Sequence, residues 1–193
     1  MTDGQNSLAI RAKAGDRRAL NALLEAHLAT IYRFVSMKMG AGHSELDDIV
    51  QETLIGASAS IRALRGETKA QVAGWLLSIA RNKIADHLRS RYSHPHDSLD
   101  GALGAHVADS ARPVDEQVMA TQRGEQLREA MRLLTPEQEE VLTLRFVLGF
   151  GIDEVAEITR RPAGAVKSMQ HRALASLHQK LHQTLDEEQA AWN

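Results

Sequence analysis

The chain contains no cysteine among its 193 residues. Disulfide bonds, cysteine-ligated zinc and thiol-based redox sensing are therefore excluded. Aromatic residues are scarce at 4% of the sequence. No apolar run approaches the roughly 20 residues of a membrane-spanning helix, and the N-terminus lacks the basic and then apolar pattern of a secretion signal. We therefore expect a cytoplasmic protein that does not insert into a membrane.

Recognisable catalytic patterns are missing as well. There is no legible serine–histidine–aspartate arrangement and no glycine loop of the kind that holds phosphates. His178 and His182 lie four residues apart, a spacing that suits a metal ion on one helix face, but no third ligand is evident. His94 and His96 flank a proline and are expected to be solvated. We expect no catalytic residue, no metal and no cofactor, and hence no enzyme.

The charge is unevenly distributed along the chain. The formal net charge is −2, and the hydrophobic fraction of 43% suffices for one or two small packed domains. Residues 1–92 hold 13 basic and 9 acidic side chains, whereas residues 93–134 and 135–193 each have more acids than bases. A nucleic-acid-binding surface must therefore be sought in local segments and not in the total charge.

The segment from Leu134 to Leu181 has the pattern of a helix-turn-helix. Its first helix opens on a capping box of Thr135 and Gln138, with a proline at the first helical position. Two glycines then mark a turn, and a short acidic helix is predicted over residues 152–159. The last helix begins at Pro162, at a position that needs no amide hydrogen.

The last helix is predicted to have one apolar and one basic face. Apolar residues recur at helical spacing from Val166 to Leu181, and this stripe is expected to face inward. The outward stripe carries four polar or basic residues, namely Lys167, Ser168, His171 and Arg172. Such a face attracts DNA phosphates, and side chains near the start of a helix reach base edges in the major groove. A solvated basic helix in an ordinary bundle is the alternative interpretation.

The first half of the chain predicts three long helices. Asp16 caps the first, and Ser44 is expected to cap the second, which should bury Ile55 with its other apolar residues. A basic loop over residues 62–70 follows. A capping box that starts at Thr68 then opens the third helix, which ends near residue 92.

These motifs resemble one protein family. Residues 135–142, 153–158 and 164–168 are similar to the promoter-reading domain of extracytoplasmic-function (group IV) sigma factors of bacterial RNA polymerase. Residues 45–53 resemble the family segment that docks on the polymerase clamp helices, and residues 75–89 resemble the helix that meets the −10 element. The resemblance implies an alternative sigma factor that binds core polymerase at its clamp helices and flap. It also implies promoter-specific transcription initiation under the control of an anti-sigma factor.

The resemblance implies three sets of site residues. The −35 set, in which the two arginines hold phosphates, consists of Arg160, Arg161, Lys167, Ser168, His171 and Arg172. The −10 set, a basic loop and one face of the following helix, consists of Arg62, Arg65, Lys69, Arg81, Asn82 and Arg89. The polymerase-binding set is the acidic face Asp47, Asp48, Gln51 and Glu52.

Simpler structural roles compete with these assignments. The helix dipole favours acids in a first turn, which by itself explains Asp47 and Asp48. Trp75 lies on the apolar stripe of its helix and is more naturally a core residue than a stacking platform for a base. Asp86 is placed to pair with Arg89 or another neighbour on the same helix.

The expected fold is all-α, with two small helical domains joined by a flexible linker. The N-terminal domain is placed at residues 1–92, the linker at 93–112, a four-helix domain with the helix-turn-helix at 113–185 and an acidic tail at 186–193. By the resemblance, the acidic linker threads a polymerase channel that nucleic acid otherwise uses.

Two other functions remain open on the sequence. The chain has features of a helix-turn-helix regulator that binds duplex DNA as a dimer without polymerase. It also has features of a helical adaptor that uses its acidic face for protein binding and never contacts DNA.

Overall fold

The computed structural model describes residues 3–40, 43–93, 124 and 126–191. Side chains are described for residues 7–40, 43–90, 124 and 126–181. Within these ranges the chain is all-α, as predicted, and no helix is both long and apolar enough to cross a membrane. The predicted linker lies outside the described residues except for Ser93, and so do residues 113–123 and 125 of the predicted four-helix domain.

The chain divides into two compact units. The described part of the first contains α1 (Asp3–Lys13), α2 (Arg17–Met39), α3 (Leu46–Ser60) and α4 (Lys69–Ser93), with a 3-10 turn at Ile61–Ala63. Helix α2 packs against the other three, and α3 packs against α4. The side chains buried between these helices include those of Leu23, Ile31, Phe34, Leu76 and Leu77.

The described part of the second unit is built around a long final helix. It contains the helical residues 126–132 (α5), α6 (Pro136–Leu142), most of α7 (Ile152–Thr159) and α8 (Ala163–Ala191). Helix α6 packs on α8 and continues directly into a π-helical turn at Thr143–Val147. Helix α8 runs on through most of the expected acidic tail.

The predicted helix caps near Thr68 and Thr135 are confirmed. Gln71 Oε1 accepts a hydrogen bond from the Thr68 amide at 3.2 Å, and Thr68 Oγ1 accepts one from the Gln71 amide at the same distance. Thr135 and Gln138 make the same reciprocal pair at 3.2 and 3.3 Å. Each box satisfies two amides that a helix start leaves unpaired, and it fixes where α4 and α6 begin.

The predicted cap at Asp16 is confirmed as well. Its Oδ1 accepts hydrogen bonds from the amides of Arg18 and Ala19 at 2.9 and 3.1 Å. The bond from Ala19, followed by the side chain of Arg11, holds the pKa of the Asp16 carboxyl below its usual value. The carboxylate is therefore charged where the N-terminal end of the helix dipole favours negative charge.

Two expectations about α3 are wrong. Ser44 does not cap it, because the helix starts one residue later, with Glu45 at the cap position and no side-chain hydrogen bond there. Ile55 is 60% exposed and not buried. Ala57 and Thr53 fill the inner face of this part of the helix, and their positions turn Ile55 towards solvent.

His27 is buried in the first unit without a hydrogen-bond partner for its Nε2 among the described residues. Burial, and secondarily the nearby charge of Lys69, lowers the pKa of His27 to about 4. The unfolded chain takes up this proton near pH 6.5, whereas the folded chain resists it until about pH 4. Stability is therefore lost as the pH falls through this interval.

We predict that the free energy of unfolding of the first unit decreases by up to about 3 kcal/mol between pH 6.5 and pH 4. Substitution His27→Leu should flatten this pH dependence, because it removes the group that titrates. The measurement is urea unfolding at several pH values, followed by Trp75 fluorescence in a Trp192→Phe background. An unchanged pH dependence in His27→Leu would contradict this explanation.

Candidate nucleic-acid and polymerase interfaces

The proposed DNA-reading side chains of α8 share one exposed face. Val166 and Ala173 are completely buried on the opposite side of the helix. All four polar or basic residues are exposed, namely Lys167, Ser168, His171 and Arg172. At 100° per residue they span about 140° of the helix circumference, so they lie on one side of the helix.

The turn between α7 and α8 holds the two arginines of the −35 set. Arg160 is exposed and adopts the left-handed conformation with φ of 56°. The Arg161 amide donates to the carbonyl oxygen of Ala156 at 3.0 Å, the bond that closes a Schellman motif. A residue with a Cβ costs about 1–2 kcal/mol in this conformation, and glycine is the usual occupant. Arg160 is therefore held at a conformational cost.

Arg145 connects the turn before α7 to α8, and the sequence patterns do not single it out. Its Nε donates to Gln170 Oε1 at 3.0 Å, and its Nη1 donates to the carbonyl oxygen of Phe150. Gln170 is adjacent to His171 on α8. The half-buried guanidinium therefore positions the exposed face of α8 relative to that turn. The sequence feature that could have indicated this role is a single arginine inside the apolar run from Leu144 to Val147.

The loop between α3 and α4 presents basic side chains on a closely packed backbone. Arg62, Arg65 and Lys69 are all exposed. A Cβ at Gly66 would lie 2.5 Å from Gln71 Cβ, so no larger residue fits without disturbing the capping box of α4. The same Gln71 Oε1 also accepts from the Glu67 amide at 2.8 Å. The loop conformation thus depends on the absence of a side chain at one position.

The rest of the −10 set lies along α4 in unequal environments. Asn82 is exposed, whereas the half-buried Arg81 stacks over the Phe34 ring with 5.6 Å between the guanidinium carbon and the ring centroid. Arg89 is exposed and lies 3.0 Å from the Asp86 carboxylate, as the structural interpretation of Asp86 anticipated. These two arginines therefore already have partners in the protein.

The basic loop before α4 and the C-terminal part of α4, which both carry residues of the −10 set, lie far apart. Lys69 and Arg89 lie 20 residues apart on one helix, about 30 Å at 1.5 Å per residue. This length corresponds to about nine nucleotide steps of B-form DNA. The −10 set therefore forms an extended strip, whereas the α8 residues from Lys167 to Arg172 form one compact patch.

The acidic face of α3 is present and carries an apolar residue. Asp47, Asp48 and Gln51 are exposed, and Glu52 is exposed with its carboxylate 3.3 Å from the Lys83 ammonium on α4. Ile55 follows them on the solvent side of the same helix. Single exposed aliphatic side chains are common on protein surfaces, and the sequence analysis placed this one in the core.

Comparison with known proteins gives the family. The family model "Sigma-70 region 2" matches residues 23–93, and "Sigma-70, region 4" matches residues 124–177. The chain is 33% identical over 174 residues to the ECF RNA polymerase sigma factor SigC of Mycobacterium tuberculosis, a match that covers 89% of this chain and 88% of that protein. The chain belongs to the extracytoplasmic-function sigma factors.

Two further similarities extend this comparison. The sigma factor is 30% identical over 167 residues to the ECF sigma factor BldN of Streptomyces coelicolor, a match that covers 86% of this chain but only 62% of BldN. Its fold resembles the sigma factor RpoE of Bartonella quintana, solved in complex with the anti-sigma factor NepR. That match has a TM-score of 0.56 at 24% identity and covers 84% of this chain and 96% of the other.

Family membership establishes the general activity. The sigma factor belongs to a class of transcription initiation factors. It binds core RNA polymerase and directs promoter-specific transcription initiation. The α8 patch and the acidic face of α3 lie within the matched regions.

We predict that Arg145→Met loosens the helix-turn-helix without altering the exposed face of α8. The free energy of opening of amides in α8 should fall by about 2 kcal/mol, because two acceptors lose a charged donor. Peptide-resolved hydrogen exchange measures this loss. Arg132→Met is the control: its exposed pair with Glu129 at 2.8 Å should contribute less than about 0.5 kcal/mol. Equal effects of the two substitutions would contradict the positioning role of Arg145.

Proposed function

We propose that this sigma factor reads the −35 element through α8 and the turn before it. The exposed face of Lys167, Ser168, His171 and Arg172 is the observation that carries the proposal. No acidic residue occurs between Arg160 and Lys180, so phosphate attraction is not opposed within this segment. The α8 residues would contact base edges, and Arg160 and Arg161 would hold phosphates on either side of the groove.

The −10 element would be contacted by the basic loop and by α4. Exposed Arg62, Arg65 and Lys69 provide the charge that a single strand follows, and the fixed loop conformation supports a pocket for an extruded base. Asn82 would contribute an edge contact. Arg81 and Arg89 would have to exchange a ring or a carboxylate for DNA, so we expect them to add less.

Core polymerase would dock on α3. Asp47, Asp48 and Gln51 offer an acidic surface to a basic partner, and Ile55 adds exposed apolar area beside them. Glu52 would contribute less charge because Lys83 already neutralises part of it. The clamp helices are the proposed partner of this face, and the flap is the proposed partner of the second unit.

The functional division of the chain follows from these assignments. We place polymerase binding and −10 recognition in residues 1–92, a connecting linker at 93–112, −35 recognition in 113–185 and an acidic tail at 186–193. The sigma factor would carry out no reaction of its own and would work in the cytoplasm with the polymerase. An anti-sigma factor that masks one or both interfaces would control it, as NepR binds the structurally similar RpoE.

Run-off transcription tests the proposal directly. We expect core polymerase with this protein to transcribe fragmented genomic DNA of the organism that encodes it from a discrete set of start sites. Sequencing of the transcript ends should reveal shared −35 and −10 motifs upstream. Lys167→Ala and Arg172→Ala should reduce these products together. Binding of the protein to such promoters without polymerase would favour the free-standing regulator, and unchanged products in both variants would favour the adaptor.

We predict opposite effects of Arg160→Gly on stability and on DNA binding. Relief of the left-handed strain should raise the stability of the second unit by about 1 kcal/mol. Loss of one phosphate contact should weaken promoter binding by the holoenzyme and reduce the slope of log affinity against log salt by about 0.9. Anisotropy titrations at several salt concentrations measure the slope, and urea unfolding measures the stability.

Arg160→Ala is the matched variant for this test. It removes the same charge but retains a Cβ in the left-handed conformation, so promoter binding should fall without a gain in stability. An unchanged salt slope in both variants would remove Arg160 from the DNA interface.

A further inference from the structure

Three side chains of the first unit have the composition of a metal site. Among the side chains that the structure describes, His43, Glu45 and His87 form the group whose ligand atoms converge, all within 4.8 Å of one another. The first two precede α3, and the third lies on α4, so 42 residues of sequence separate Glu45 from His87. Sequence spacing alone therefore does not indicate the site.

The distances suit a small ion after minor adjustment. Glu45 Oε2 lies 2.5 Å from His87 Nε2 and 4.0 Å from His43 Nδ1. Two ligand atoms that each lie about 2.1 Å from a tetrahedral zinc ion are about 3.4 Å from one another. One observed separation is shorter and the other longer than this, and both reach it by shifts of less than about 1 Å.

The Glu45 carboxylate and the His87 imidazole are in direct contact, with Oε2 and Nε2 2.5 Å apart. Both atoms are screened from solvent, and apart from this contact neither has a hydrogen-bond partner among the described residues. The Glu45 side chain also does not cap α3, although Glu45 occupies the cap position. A proton on Nε2 links the two atoms at this distance, and a cation would replace that proton once the atoms move apart to about 3.4 Å.

The third ligand atom is engaged within the same segment. His43 Nδ1 accepts a hydrogen bond of 3.3 Å from the Glu45 amide, which a bound ion would replace. The two imidazole rings meet edge to face, with centroids 5.7 Å apart and an angle of 86°. His43 Nδ1 lies 4.0 Å from the Glu45 carboxylate, so a shift of less than about 1 Å brings it to ligand distance.

We infer that His43, Glu45 and His87 bind a divalent transition-metal ion of the zinc type. Two imidazoles and one carboxylate are a ligand set that holds zinc, with water as the fourth ligand. The three side chains are half-buried, which leaves access for the ion and for that water. Asp47 and Asp48 in the first turn of α3 add negative charge nearby. The bound ion would join the segment before α3 to α4.

Calorimetric titration of Zn²⁺ into the full chain, after removal of metal by a chelator, tests the inference. We expect one ion per chain, a higher unfolding temperature with Zn²⁺, and visible absorption bands of tetrahedral Co²⁺ when that ion is used as a probe. Glu45→Gln and His87→Gln should each weaken binding at least about 100-fold, because even the outer partners of metal ligands contribute 10- to 100-fold.

Two control variants leave the cluster intact. Glu25→Gln changes an exposed carboxylate on α2, and His178→Gln removes one member of the histidine pair on α8. Both should bind Zn²⁺ as the unaltered chain does. If circular dichroism shows that His87→Gln has not folded, His43→Gln in the loop replaces it with the same expected loss. Absence of one-to-one binding, or binding that survives Glu45→Gln and is lost in His178→Gln, would overturn the inference.

Discussion

The burial of Val166 and Ala173 determines which side of α8 is available to DNA. These residues lie seven positions apart, two helical turns, and both are completely inaccessible to solvent. The burial of Val166 and Ala173 fixes the rotation of the helix about its axis. Lys167 and Arg172, on the opposite side, therefore face solvent. The Arg145 bridge then adds a second restraint through Gln170. The exposed face is thus a consequence of packing on the opposite side.

The basic side chains of the two units differ in how many partners they already have within the protein. In the first, Arg81 covers an aromatic ring and Arg89 is balanced by Asp86, so DNA would have to compete with contacts that already exist. On the exposed face of α8, Lys167 and Arg172 have no acid nearby in sequence. On the proposed assignments, most electrostatic attraction to DNA would come from the second unit. The first unit would then depend on shape and on the fixed loop next to Gly66.

Local patterns in the sequence were sufficient for the helices and for most of their ends. The capping boxes of Thr68 and Thr135 depend on residues three positions apart, and such short-range geometry is predictable. Ile55 was misplaced because its exposure depends on which face of α3 the other helices cover. The contacts of Arg145 and Glu45 were not predictable from local patterns either, because Gln170 and His87 lie 25 and 42 positions away in the sequence. The roles of individual side chains towards DNA and polymerase stay predictions.

The π-helical turn at Thr143–Val147 constrains the number of residues between α6 and α7. The Leu148 amide bonds to the Thr143 carbonyl at 3.0 Å, five residues back, so this turn accommodates one residue more than an α-helical turn would. Deleting one residue here would remove the wide turn and let the helix continue with regular α-helical hydrogen bonds. A deletion between Arg145 and Phe150 would also shorten the segment across which the Arg145 guanidinium donates to the Phe150 carbonyl oxygen. The number of residues in this turn is therefore matched to the contact that spans it.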